Sequence, residues 1–251
     1  MKQKMNISAV GWTTILSGLL ALACLFTMLA AVNFNADALS DPNLLLGMKN
    51  ISVSAARWSM LFDMLGYYLL LLPLVWCLHT WYRERTAWAN LITFSGLAYI
   101  IIGAIGAAIL AVVYPSVLSQ YPAADETGKA ILAGRFELVN EIVYGGMWNL
   151  LEQLFAATWW LGLSFLFIRE HWKTAGITAL LTGVACGADG LAGIVGYAPL
   201  HMAALNAYLL LAVIFAFVTG VKLLGYEPAR FAVLKNYPPP GFATRRPEKV
   251  Y

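Results

Sequence analysis

The chain has 251 residues, of which 61% are hydrophobic and only 12% charged, and its formal net charge is +3. Soluble domains carry roughly 25% charged residues, so this composition excludes an ordinary soluble fold. The small, scattered positive charge excludes a nucleic-acid partner, and the lipid bilayer is the expected solvent.

A spanning helix needs about 20 mostly apolar residues. Six stretches qualify, 10–32, 56–81, 88–114, 141–168, 175–197 and 199–224. They predict an all-α fold, a six-transmembrane-helix bundle over 10–224, between a short N-terminus at 1–9 and a Pro-containing tail at 225–251. The first stretch follows a basic start, MKQKMN, as a signal peptide would, but its apolar run exceeds the core of about 7–15 residues typical of such signals. It reads as an uncleaved anchor.

Six spans place both termini on one side. Lys2, Lys4, Arg83, Arg85, Arg169, Lys173 and six further basic residues from Lys222 to Lys249 flank that side, 12 in all, against Lys49, Arg57, Lys129 and Arg135 on the other. Basic residues accumulate on cytoplasmic flanks, which predicts an inner (plasma) membrane protein with both termini inside. Interfacial rings agree: Trp12, Trp81, Trp88 and Trp172 fall at the inner boundary, and Trp58, Tyr114, Tyr121 and Tyr197 at the outer.

The inner turns, RERTA and REHWKT, are short and make antiparallel neighbours. The outer connections are longer. One, at 33–55, contains Asp37, Asp41 and Pro42; the other, at 115–140, contains an interfacial helix, ADETGKAILAGRFELVNE. Both read as interfacial loops. Pro73 interrupts the second span and is a candidate hinge. Gly96, Gly103 and Gly106 form a packing strip on the third, and the tail carries a polyproline stretch, YPPPG, at 237–241. Trp58 and Asp63 before Arg83-Glu84-Arg85 echo Trp148 and Glu152 before Arg169-Glu170-His171, but no other spacing is shared and chance is the simpler account.

Three acids interrupt the spans: Asp63, Glu152 and Asp189. Each costs about 2.5 to 3.5 kcal/mol at a helix centre, and intramembrane acids are functional-site hypotheses. At about 1.5 Å per residue they lie roughly 8 to 15 Å below the outer boundary. Matching depths suggest one shared, outward-facing chamber that binds or transports a small cation, a proton or a small molecule. Continuous α-helix over the fourth span would align Glu141, Gly145, Trp148, Glu152 and Phe155 and turn Gln153 away. Asn149, Trp148, Tyr67, His201 and Asn206 are the supporting candidates, with Tyr208 on the His201 face. Arg57, Arg135 and Glu141 stand at the rim.

The run Cys186-Gly-Ala-Asp-Gly-Leu-Ala-Gly193 allows either close helix packing or a local break. Cys24, Cys77 and Cys186 have no paired spacing and read as buried thiols. Asp63, Glu152, Asp189 and His201 are of types that suit Zn, Mn or Fe, but no HxxxH, ExxH or HExxH motif requires a metal. His79 and His171 sit at helix ends, where an interfacial role is preferred to haem ligation, and the sequence identifies no cofactor.

The run RWSMLFDMLGYYLLLLPLVWCLHTWYRER, the following FSGLAYIIIGAIGAAIL, and the later LGLSFLFIRE before a turn resemble an uncharacterised bacterial six-span integral membrane family, a domain of unknown function. The resemblance spans most of 10–224 and implies the fold, with no activity and no functional residues. Three functions therefore stay open. Transport through the acidic chamber implies a homodimer, since six spans are few for a secondary transporter. An intramembrane enzyme would use paired carboxyls for acid/base work on a lipid or isoprenoid, with Trp148, Phe155 and Trp159 lining its pocket. A structural subunit would use the acids only for helix contacts, beside a membrane partner subunit.

Overall fold

A computed structural model describes residues 6–35, 38 and 42–225. Lys2, Lys4, Asp37, Asp41 and the polyproline stretch lie outside the described residues. Among those described there is no strand, and six helical segments are long and apolar enough to cross a membrane: Ile7–Ala31, Val53–Tyr82, Ala89–Ala123, Glu126–Arg169, Lys173–Val195 and Ala198–Leu224. The protein is an all-helical, multi-pass integral membrane protein. Each span packs against the one before and the one after, and the sixth closes on the first, so the spans form a ring in sequence order.

The first span is α1 (Ile7–Ala31), capped by the Asn6 side chain, which accepts from the Ala9 amide at 3.2 Å. A short helix, α2 (Pro42–Gly47), follows. The second span is broken into α3 (Val53–Asp63), a π-helical turn at Met64–Tyr68, a 3-10 turn at Leu69–Leu71, and α4 (Leu72–Tyr82). Pro73 enters at the start of α4, where its missing N–H is tolerated. The irregularity expected at this proline thus lies in the turns before it.

The third span is α5 (Ala89–Gln120), prolonged by a 3-10 turn at Tyr121–Ala123. Next come α6 (Glu126–Asn140), a long π-helical segment at Glu141–Glu152, and α7 (Gln153–Arg169). The connection at 115–140 contains the helix expected there, but that helix is continuous with the fourth span rather than part of a separate interfacial loop. Leu132, Phe136 and Asn140 recur every four residues on a buried face, while Glu126, Arg135 and Glu137 are exposed. That is the pattern of an amphipathic helix. The 44-residue rod from Glu126 to Arg169 would measure up to about 65 Å as regular α-helix. This is twice the hydrocarbon thickness of about 30 Å, so its charged first half must stand outside the lipid.

The last two spans are α8 (Lys173–Val195) and α9 (Ala198–Leu224), joined through Gly196 in the left-handed conformation, φ 72°. The small-residue run around Asp189 is regular helix, and its role is close packing. A methyl carbon on Gly190 would stand 3.3 Å from Gln153 Cβ, and one on Gly193 3.3 Å from the Asn149 carbonyl oxygen.

Two apolar clusters fill the ring. The larger contains Tyr99, Trp159, Trp160, Phe167 and Phe215, all essentially inaccessible, with Trp160 edge-on to Phe215 at 4.5 Å. The smaller joins Leu45 and Leu46 of α2 and Leu132 and Phe136 of α6 to Ala31, Tyr114 and Val117, and caps the end of the bundle away from the termini. At the opposite end Arg85 pairs with Glu170 at 2.7 Å, tying the two short turns together beside an edge-on contact of Trp81 with Trp172. With the two side chains 29% and 26% exposed, such a pair is worth no more than about 1 kcal/mol. Arg85→Glu is expected to lower the thermal midpoint slightly and the added Glu170→Arg to restore it; a double variant no better than the single would exclude a pairwise contact.

Candidate functional site

The three intramembrane acids are drawn inward from spans two, four and five. Asp63 is 7% exposed, Glu152 1% and Asp189 0%. No lysine or arginine is buried among the described residues. Asp63 and Asp189 both lie within electrostatic range of Glu152, which makes Glu152 the middle member. Among the described residues no three His, Cys, Asp or Glu side chains converge tightly enough to hold a metal ion.

Each acid has its own partner. The Tyr68 hydroxyl donates to Glu152, 3.1 Å from both carboxyl oxygens. The Cys24 thiol donates to Asp63 Oδ1 at 3.8 Å, and Asp63 Oδ2 has no partner. Asp189 Oδ1 lies 2.5 Å from His201 Nδ1, while its Oδ2 is unpartnered. His201 Nε2 is 3.3 Å from the Asn149 amide nitrogen.

The π-helical turns set this geometry. One begins immediately after Asp63 and the other ends on Glu152. In a π-helix the backbone bonds run from i to i+5, so each turn takes an extra residue and the inward face shifts along the chain. Tyr67 and Tyr68 are therefore both buried, and so are Glu152 and Gln153. Gln153, expected to turn away, is 1% exposed, and its Oε1 has no partner. The shift likewise removes Glu141 and Gly145 from the expected stripe; both are exposed.

Backbone carbonyls freed by the switch from π to 3-10 geometry are met by neighbouring hydroxyls. Ser17 of α1 donates to the Gly66 carbonyl. Tyr99 of α5 donates to the Tyr67 carbonyl at 2.9 Å. A phenol has one proton, so the Tyr99 proton is committed to that carbonyl; the Tyr208 hydroxyl stands 3.0 Å from the Tyr99 oxygen and also borders Glu152. Tyr67 donates in turn to the Leu209 carbonyl at 3.1 Å. Spans two, three and six are thereby stitched together directly beside Glu152.

The glycine strip on α5 seats the rings of this network. A methyl carbon on Gly96 would fall 2.8 Å from Trp159 Cδ1, one on Gly103 1.9 Å from Tyr68 Cε1, and one on Gly106 2.3 Å from Trp148 Nε1. Trp148 also donates to the Gly103 carbonyl at 3.2 Å. Of the three rings expected to line a pocket, Trp148 and Trp159 are docked on glycines, Trp159 also bordering a cavity of about 10 Å³, and Phe155 meets Phe94 edge-on at 5.8 Å.

Of the sequence candidates, Asp63, Glu152, Asp189, Asn149, His201 and Tyr67 belong to the buried arrangement, and Trp148 supports it. Asn206 does not: it is exposed and donates back to the Met202 carbonyl at 2.8 Å. Arg57, Arg135 and Glu141 are exposed, and none is bonded to the three acids. Tyr68, Tyr99, Cys24 and Gln153 join the arrangement without having been expected in it. Tyr99 had a signal, since it falls between Gly96 and Gly103 at helical spacing on one face.

A cavity of about 10 Å³ lies near the end that carries the termini, lined by His79, Tyr82, Thr93 and Trp159 among others. An open groove of about 500 Å³ lies on the capped end, between α5 and α6, beside Gln120 and Arg135. Neither is lined by any of the three acids. Comparison with protein-family models, curated proteins and solved structures finds no significant match. The functional reading therefore stands on chemistry alone.

Proposed function

We propose that this is a proton-handling membrane protein of the plasma membrane, with both termini in the cytoplasm, in which Glu152 is the central proton carrier. The carrying observation is charge balance: three buried carboxyl groups face one imidazole and no buried Lys or Arg among the described residues. Burying an unbalanced charge costs several kcal/mol, so protons or a bound cation must complete the group. A cation would need several oxygens at once. Here each carboxyl has a separate partner, which favours protons. The excess of Lys and Arg on the flanks that share a side with the termini supports the orientation.

The test is proton flux into vesicles that contain the purified protein and an internal pH-sensitive dye. Wild-type protein should conduct above protein-free vesicles, and Glu152→Gln, which retains an acceptor for Tyr68, should fall to the protein-free level while remaining folded. Wild-type conduction in that variant, or none in the wild type, would overturn the proposal.

A further inference from the structure

The Asp189–His201 pair links the buried arrangement to the surface. Asp189 is wholly buried with one carboxyl oxygen unpartnered, whereas the His201 side chain bonded to its other oxygen is 21% exposed. His201 stands near the start of α9, at the capped end of the ring. From the partly exposed imidazole inward the order of contact is His201, hydrogen-bonded to Asp189, and then Glu152, which lies within electrostatic range of Asp189. We infer that Asp189 and His201 form the proton inlet from the capped face to Glu152, with Asn149 as the amide that accommodates both states of the imidazole. The inference rests on the proton-handling reading above.

The chemistry follows from the two ring nitrogens. As the Asn149 amide stands, its NH₂ faces Nε2, so Nε2 accepts and the ring proton is on Nδ1, donating to Asp189. A proton arriving from water binds Nε2 and gives the imidazolium. The Nδ1 proton then passes to Asp189 Oδ1, leaving a neutral imidazole protonated on Nε2 and a neutral carboxyl group. Turning the Asn149 amide presents its oxygen to the new Nε2–H; amide oxygen and nitrogen are sterically interchangeable. Rotation of the Asp189 carboxyl frees its proton to go on to Glu152, and the partly exposed ring resets by exchange with water, Nε2 releasing its proton and Nδ1 taking one up. Close approach of span five holds the parts in place, since a methyl carbon on Gly193 would stand 3.3 Å from the Asn149 carbonyl oxygen.

A purely structural histidine is separated from an inlet by chemical rescue. In the vesicle assay His201→Ala should slow proton flux about a hundred-fold, the size of a typical proton-transfer contribution, and free imidazole should restore much of it. His201→Gln keeps a hydrogen-bond partner for Asp189 and should fold as wild type while conducting as poorly as His201→Ala. Glu152→Gln should be inactive with or without imidazole. Wild-type flux in His201→Gln would overturn the inlet while leaving the role of Glu152 intact, and so would a folded His201→Ala that imidazole does not rescue. Wild-type flux in Glu152→Gln would remove the reading beneath it, and the inlet with it.

Discussion

Gly66→Ala is expected to force the first two spans apart and to destabilise the bundle severely. A methyl carbon on Gly66 would stand 2.3 Å from the Ala21 nitrogen and 2.7 Å from the Leu20 carbonyl carbon. Both obstacles are backbone of α1, so no rotamer change can relieve them, and the helices themselves must move. The movement also pulls the Gly66 carbonyl from the buried Ser17 hydroxyl. Overpacking typically costs 1 to 3 kcal/mol, and an orphaned buried polar group adds about 1 to 3 more, so a loss of about 4 kcal/mol is expected. At roughly 2 to 4 °C per kcal/mol for a chain of this size, the thermal midpoint should drop by about 10 °C. Unfolding followed by tryptophan fluorescence measures it, and a midpoint within a degree or two of wild type would show that α1 is not seated on this glycine.

The architecture was legible because the bilayer imposes it. Six apolar stretches without internal charge runs admit little besides six spanning helices. Their ends were less legible. The interfacial helix expected at 124–141 is present, but Leu132, Phe136 and Asn140 keep one buried face and let it run on into the fourth span, a continuity its charged residues hid. The positions of the acids were also legible, since a carboxyl in hydrocarbon is costly wherever it points. Their partners were not. Cys24 and Asp63 are 39 residues apart and Tyr68 and Glu152 are 84 apart, and each contact depends on which spans adjoin. Periodicity also failed at the π-helical turns: a 3.6-residue period sends Gln153 and one of the adjacent tyrosines outward, whereas the wider turn buries them all. These failures sit beside Asp63 and Glu152, where the helix leaves the 3.6-residue period.

The glycines of α5 show the same division. Gly96, Gly103 and Gly106 read as packing from spacing alone, and only the neighbours show that Gly103 seats the ring whose hydroxyl reaches Glu152. Gly103→Ala would place a methyl carbon 1.9 Å from that ring, which is 4% exposed and enclosed by Tyr67 and Tyr99. The ring must shift, and its hydroxyl leaves Glu152. The variant should lose about 3 kcal/mol and most proton flux. Tyr68→Leu alone should lose a similar amount, from the cavity and from the unpaired Glu152. Combined, the two are expected to cost about 2 kcal/mol less than their sum, because leucine vacates the space the methyl group needs. Flux should remain absent in the double variant, since leucine has no hydroxyl to give Glu152. Strictly additive losses would mean that Gly103 does not position Tyr68, and recovery of flux along with stability would mean that the Tyr68 hydroxyl is dispensable to the carboxyl group it contacts.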